Sequence, residues 1–250
     1  MEISSTNTSI YSAVSTSQTV SNTQNTSSSF NTLVNNSNQD TTTTSSTTPK
    51  TSRIVNFLEK FNKLNSLSPT DEKIFRDLLS DDKLTKEEVK TLSFDQIERI
   101  RDLIFPGSLT EEEKNSMPMV QVVGVDLLAT RLTGNKQFNE ALFNTTLDLS
   151  TEDADRLIGE VHNNLGQLYL GRELKATFQY TGSYLANPWE YKDIDADFSK
   201  FIKDVKSHHE AVIAKHKGDN EIKKQFQDVV DVYDILEKNY NQVLSKTKYA

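Results

Sequence analysis

No lysine or arginine occurs in the first 49 residues of this chain, and Glu2 and Asp40 are the only charged side chains before Lys50. Ser, Thr and Asn make up about two-thirds of that stretch. Its sizeable apolar side chains after Met1 are Ile3, Ile10, Tyr11, Val14, Val20, Phe30, Leu33 and Val34. Ordering a residue costs roughly 1–2 kcal/mol of backbone entropy, and so few apolar groups cannot offset it. Residues 1–49 are therefore expected to be a disordered tail. At Thr48-Pro49-Lys50 the composition changes abruptly, and a helical pattern begins within a few residues. Roughly 200 residues remain for folding. They divide into a region 50–118 and a region 119–250, and could together form one domain.

The pattern beyond residue 50 predicts an all-α body. Ile54, Phe57, Leu58, Phe61 and Leu64 recur at spacings of three and four, which marks an amphipathic helix. Short helices follow, each opened by a readable cap: Ser68 before Pro69, Thr85 with Glu88, Ser93 with Gln96, and Thr110 with Glu113. The last three are capping-box patterns, in which the two side chains satisfy each other's orphan backbone donors. These caps expose a tandem helix-loop-helix repeat of 25 residues. Leu67-Ser68 falls on Leu92-Ser93, Arg76-Asp77-Leu78 on Arg101-Asp102-Leu103, Leu84-Thr85 on Leu109-Thr110, and Glu87-Glu88 on Glu112-Glu113.

The repeat invites a calcium test, because Asp77 to Glu88 and Asp102 to Glu113 each span twelve residues from Asp to Glu, as an EF-hand loop does. Position eight is Leu84 or Leu109, also as in an EF-hand. Position three, however, is Leu79 or Ile104, and position five is Asp81 or Pro106. Calcium takes six to eight oxygens, so the loops read as structural and no metal is expected.

After Pro118, Met119 to Leu132 reads as a buried helix ending at Gly134, and Gln137 to Asn144 as a short helical stretch. Ser150 then caps a helix with Leu157, Ile158, Val161, Leu165 and Leu168 along one face. Between Thr177 and Tyr191 the helical period fades and aromatics gather. Phe178, Tyr180, Tyr184, Trp189 and Tyr191 serve either as core filler and loop anchors or as a partner-contact surface, and they are the candidate partner-binding residues. The C-terminal third predicts an antiparallel helical hairpin. Phe198, Phe201, Ile202, Val205, Val212 and Ile213 lie on one helix, and Ile222, Phe226, Val229, Tyr233, Leu236, Tyr240 and Val243 on the next. Gly218-Asp219-Asn220 between them suits a left-handed helix end followed by a cap.

Composition narrows the function. A net charge of −8 argues against nucleic acid as a partner. The absence of cysteine removes disulfides, thiolate metal sites and cysteine nucleophiles. No stretch reaches the length of about 18 apolar residues that a membrane span requires. Of the four histidines, His208, His209 and His216 cluster, but Ile213 stands where a zinc-protease helix has its second histidine after His209. His208 is spaced from Val205 and Val212 as part of an apolar face, and His162 beside Val161 reads as structural. No phosphate-binding glycine loop and no nucleophile elbow occurs. The expectation is a protein that is not an enzyme, with no catalytic residues, cofactor or metal.

The tail bears on the remaining readings. It has neither the basic and apolar regions of a Sec signal nor the arginines of a mitochondrial presequence. It resembles the N-terminal leaders of bacterial proteins exported by flagellar or related type III machines, which are uncleaved, unfolded and rich in Ser, Asn and Thr, with sparse apolar residues such as Ile3, Ile10 and Val14 here. That resemblance implies a secreted or cell-surface protein, with an export chaperone or the secretion apparatus among its partners. The tail reads equally as a solubilising linker of a cytoplasmic adaptor, and its Asn7, Asn25 and Asn35 acceptor triplets raise a glycosylated stalk.

Overall fold

The chain divides into two units, residues 1–49 and 50–250. The computed structural model describes residues 52–105, 108–174, 190–216 and 218–248. The expected disorder of the tail lies outside the described residues. Within them the protein is all-α apart from two three-residue strands.

The first helix, α1 (Arg53–Lys60), starts where Ser52 accepts the Val55 N–H, and it buries Ile54, Val55, Phe57 and Leu58. Asn62 takes a left-handed conformation and ends that segment, and a 3-10 turn at Lys63–Ser66 buries Leu64. The first repeat copy is α2 (Pro69–Leu78), β1 (Lys83–Thr85) and α3 (Lys86–Val89); the second is α4 (Phe94–Ile104) and α5 (Glu111–Ser116). Ser68 and Ser93 cap the leading helices of the two copies, while Thr85 and Thr110 open the trailing ones with complete capping boxes. The 25-residue correspondence in sequence is thus a correspondence of caps in space.

The helix expected over Met119 to Leu132 does not form. Gln121–Val123 is a strand, β2, paired parallel to β1 with Leu84 opposite Val122. Met119, Val122 and Val123 are exposed rather than buried. The short apolar run could serve either secondary structure, and tertiary pairing decided it. Gly124, at φ +68°, turns the chain out of the strand, and only a 3-10 turn at Ala129–Arg131 remains helical.

Asn135 caps α6 (Lys136–Asp148) and Ser150 caps α7 (Thr151–Tyr169). The latter ends in a Schellman arrangement at Gly171 (φ +66°), with Gly171 N–H donating to Leu168 O and Arg172 N–H to Gln167 O. Gly171 and Gly124, rather than Gly218, are the left-handed glycines among the described residues. Asp197 caps α8 (Phe198–Lys215), and Asp219 Oδ1 accepts the Glu221 and Ile222 N–H groups at the start of α9 (Asn220–Lys248).

The hairpin α8–α9 packs on α6 and α7, and α6 packs against the Ala129–Arg131 turn, which also touches α4. One apolar cluster runs from Ile54 to Val243, so the two sequence regions 50–118 and 119–250 share a core. Phe138 of α6 stacks on Phe198 at 4.2 Å and meets Phe201 and Tyr240 edge-on. No helix among the described residues is long and apolar enough to cross a membrane.

Candidate functional site

Phe178, Tyr180, Tyr184 and Trp189 lie outside the described residues. Tyr191, the fifth candidate, is 1% exposed and belongs to the core, so its ring is not offered to a partner. Its N–H donates to Leu132 O at 2.7 Å and its backbone bridges Thr133. The hydroxyl donates to His162 O at 3.2 Å, and the ring meets those of His162 and Tyr169 edge-on. Two neighbours complete the clamp. Glu190 pairs with Arg101, a guanidinium buried in α4 that also donates to Ser108 Oγ. Lys192 O approaches Gly134 so closely that a Cβ there would lie 2.3 Å away. Residues 190–192 therefore act as an anchor, which is the loop-anchoring reading of Tyr191.

The first calcium-like loop keeps the backbone of the motif but not its chemistry. Asp82 holds position six with φ 63°, the left-handed turn that an EF-hand gives to glycine, and β1 covers positions seven to nine. The carboxylates are engaged elsewhere. Asp81 Oδ1 accepts the Lys83 N–H, and Glu88 Oε2 accepts both the Thr85 N–H and the Thr85 hydroxyl. Asp82 turns to α1, accepting from Ile54 N at 2.9 Å and pairing with Arg53. In the second loop Asp102 pairs with Arg131, and Glu113 with Lys63 at 2.8 Å. Among the described residues no three His, Asp or Glu side chains are placed to hold a metal ion.

The histidines fall differently from their expected register. His208 is exposed and His209 is fully buried. The stripe of α8 runs Phe198, Phe201, Ile202, Val205, His209, so the buried position comes four residues after Val205 rather than three. His209 Nδ1 lies 2.9 Å from Val205 O. Facing a carbonyl, that nitrogen must donate, which makes Nε2 the acceptor of the neutral ring.

Nε2 looks toward a buried polar group of α7: Glu160 Oε2 is 4.0 Å away and Glu160 is 5% exposed. Asn164, one turn on, donates to Glu160 O at 2.9 Å and lies 3.4 Å from Oε2. Tyr233 of α9 is buried with them. Burial pushes the Glu160 carboxyl up to about 7, against the lowering effects of the Asn164 amide and the Arg156 charge. Burial holds His209 below the usual imidazole value, opposed by the Val205 carbonyl. It also raises the Tyr233 phenol well above its ordinary range. A carboxyl near 7 is suited to proton exchange, but these side chains face one another rather than a cleft. Glu160 and Asn164 lie three and seven residues after Leu157, inside the α7 stripe, but its spacing did not single them out.

An open concavity among the described residues lies elsewhere. A groove of about 420 Å³ runs between the α3–α4 junction, α6 and the end of α9. Val89, Phe94, Phe143 and Leu147 line it together with Asn239 and Lys246.

The class that fold and site define is an all-α body built from a tandem capped repeat and a helical hairpin, with a polar cluster inside its core. Compared with protein-family models, curated proteins and solved structures, the chain matches none.

Proposed function

We propose that this chain is a non-catalytic helical interaction protein, carried out of a bacterial cell by a flagellar or type III-like apparatus that engages residues 1–49. The observation that carries the reading is the tail itself: 49 residues without a basic side chain, rich in Ser, Thr and Asn, ending abruptly at Pro49. Its sparse apolar residues Ile3, Ile10 and Val14 supply contacts for an export chaperone or the apparatus. The helical body supports the second half of the reading, since the groove beside α4 and α9 is lined by both apolar side chains, such as Phe94 and Leu147, and polar ones, such as Asn239 and Lys246, a mixture that suits protein contact.

Deletion of residues 2–30 tests this directly in a bacterial host carrying such an apparatus. The truncated chain is expected to disappear from the culture supernatant and accumulate inside cells with an unchanged circular dichroism spectrum. Continued release at the full-length level would overturn export by this tail and leave the cytoplasmic adaptor reading, in which residues 50–250 alone retain the partner.

A further inference from the structure

Where α7, α8 and α9 meet, two ionisable groups of opposite kind face each other inside the core, Glu160 Oε2 and His209 Nε2, 4.0 Å apart. The described groups that act on them are mostly neutral or distant. On α7, Asn164 contributes an amide donor and Arg156 a distant positive charge. That guanidinium is already shared among Glu152, Asp153 and Asp228 at 3.4–3.8 Å. From α8, His208 opposes charge on His209; from α9 the neutral Tyr233 phenol lies near Glu160 and Asn164, and the Phe226 ring lies 5.5 Å from that of His209.

Net charge at such a place is what the core cannot tolerate. A carboxylic acid beside a neutral imidazole carries none; a carboxylate beside an imidazolium also sums to zero but buries two separated charges at 4.0 Å, and the remaining two states carry one net charge. The tautomer set by Val205 O turns the accepting nitrogen toward the acid.

We infer that Glu160 and His209 form a one-proton latch that fastens the α8–α9 hairpin to α7. In the unfolded chain at mildly acidic pH the proton sits on the imidazole and the carboxyl is ionised. Folding moves it to the carboxyl, with no net uptake or release. Loss of that proton leaves a buried carboxylate, so the attachment weakens as pH rises through about 7. Gain of a second proton leaves a buried imidazolium, so the attachment weakens again in acid.

The sign follows for each partner alone. Glu160 has a raised folded pKa, so its contribution to stability is complete below its unfolded value of 4.5 and is lost as pH climbs to about 7. His209 has a lowered folded pKa, so its contribution is complete above 6.5 and is lost as pH falls below that value. Between these limits the two slopes cancel in the intact pair.

The experiment is urea unfolding of the full chain, of Glu160→Gln, of His209→Gln and of the double variant, from about pH 5 to pH 8. Each variant's folding constant is divided by that of the wild type at the same pH, which removes the background of the other carboxylates. One uncompensated proton changes the ratio about tenfold per pH unit. The Glu160→Gln ratio is expected to rise with pH up to about 7, and the His209→Gln ratio to fall as pH rises to about 6.5 and to level off above it. If loss of the imidazole prevents folding, the slope of Glu160→Gln alone decides, because glutamine keeps the shape and the Asn164 contact. The double variant reads the pairing itself. A double-variant ratio equal to the product of the two single ratios at every pH, ratios independent of pH, or slopes of the same sign would overturn the latch.

Discussion

Gly134 shows how much one absent side chain can decide. A Cβ there would lie 2.3 Å from Lys192 O and 3.3 Å from its carbonyl carbon, and this obstacle is backbone, which cannot swing aside. The close approach seats Tyr191 against Leu132, Thr133 and His162 and brings Glu190 to Arg101. Gly134→Ala must push the 190–192 anchor away and is expected to cost about 1–3 kcal/mol, the usual range for overpacking. Thermal unfolding measures the loss, and near-ultraviolet circular dichroism reports the altered Tyr191 environment. Gly171→Ala is strained differently: nothing lies near its Cβ, and the left-handed φ of +66° alone carries the penalty, about 1 kcal/mol.

At the scale of elements, the two repeat copies share their caps but not their burdens. Helix α3 follows β1, and Leu84 and Val89 around it are fully buried. Helix α5 has the same capping box yet buries none of its residues. Thr85→Ala should therefore lower stability by about 1 kcal/mol, as loss of a cap ordinarily does. Thr110→Ala should remain within about 0.5 kcal/mol of wild type, since fraying α5 withdraws little from the core. Urea unfolding of the two variants separates these outcomes. The same contrast explains what became of the calcium-like loop. Its left-handed sixth residue is an aspartate because Asp82 caps α1 through Ile54 N–H, a role glycine could not fill.

For the whole molecule, the acid side of the stability profile belongs to paired carboxylates. The Gln96 amide holds Asp71 below its ordinary value, with Ser68 and Arg99 aiding against burial. Lys136 does the same for Asp95, and Lys63 for Glu113. At Asp82 burial pushes upward, but the Ile54 N–H, Arg53 and Ser52 together prevail. Lowered folded values mean that this stability is present above about pH 4 and is lost as pH falls through them. Asp95 is the exposed member of these four, its side chain 60% accessible, so salt at about 0.5 M should remove its share of the acid limb while leaving those of Asp71, Asp82 and Glu113 and the Glu160 and His209 slopes largely in place, because covered pairs are screened far less. Unfolding midpoints at low and high salt, from about pH 2.5 to pH 8, make that comparison.

Much of the fold could be read from local spacing. Ser68, Thr85, Ser93 and Thr110 each open a helix in the structure, the apolar stripes of α1, α7 and α9 lie inside, and the 25-residue offset joins equivalent caps. These signals are legible because partners three or four residues apart are brought together by the helix itself. The local rules failed where the deciding partner is remote in sequence. Gln121–Val123 became a strand because Lys83–Thr85 lies beside it. Tyr191 turned inward because Leu132 and His162 receive it, and His209 rather than His208 is buried because the hairpin packs that way onto α7. Spacing along the last helix placed Tyr233 on an apolar stripe; Glu160 and Asn164, polar residues inside the α7 stripe, were not singled out by it. Only the packing of three helices set a carboxyl 4.0 Å from an imidazole, since no local period records which faces meet.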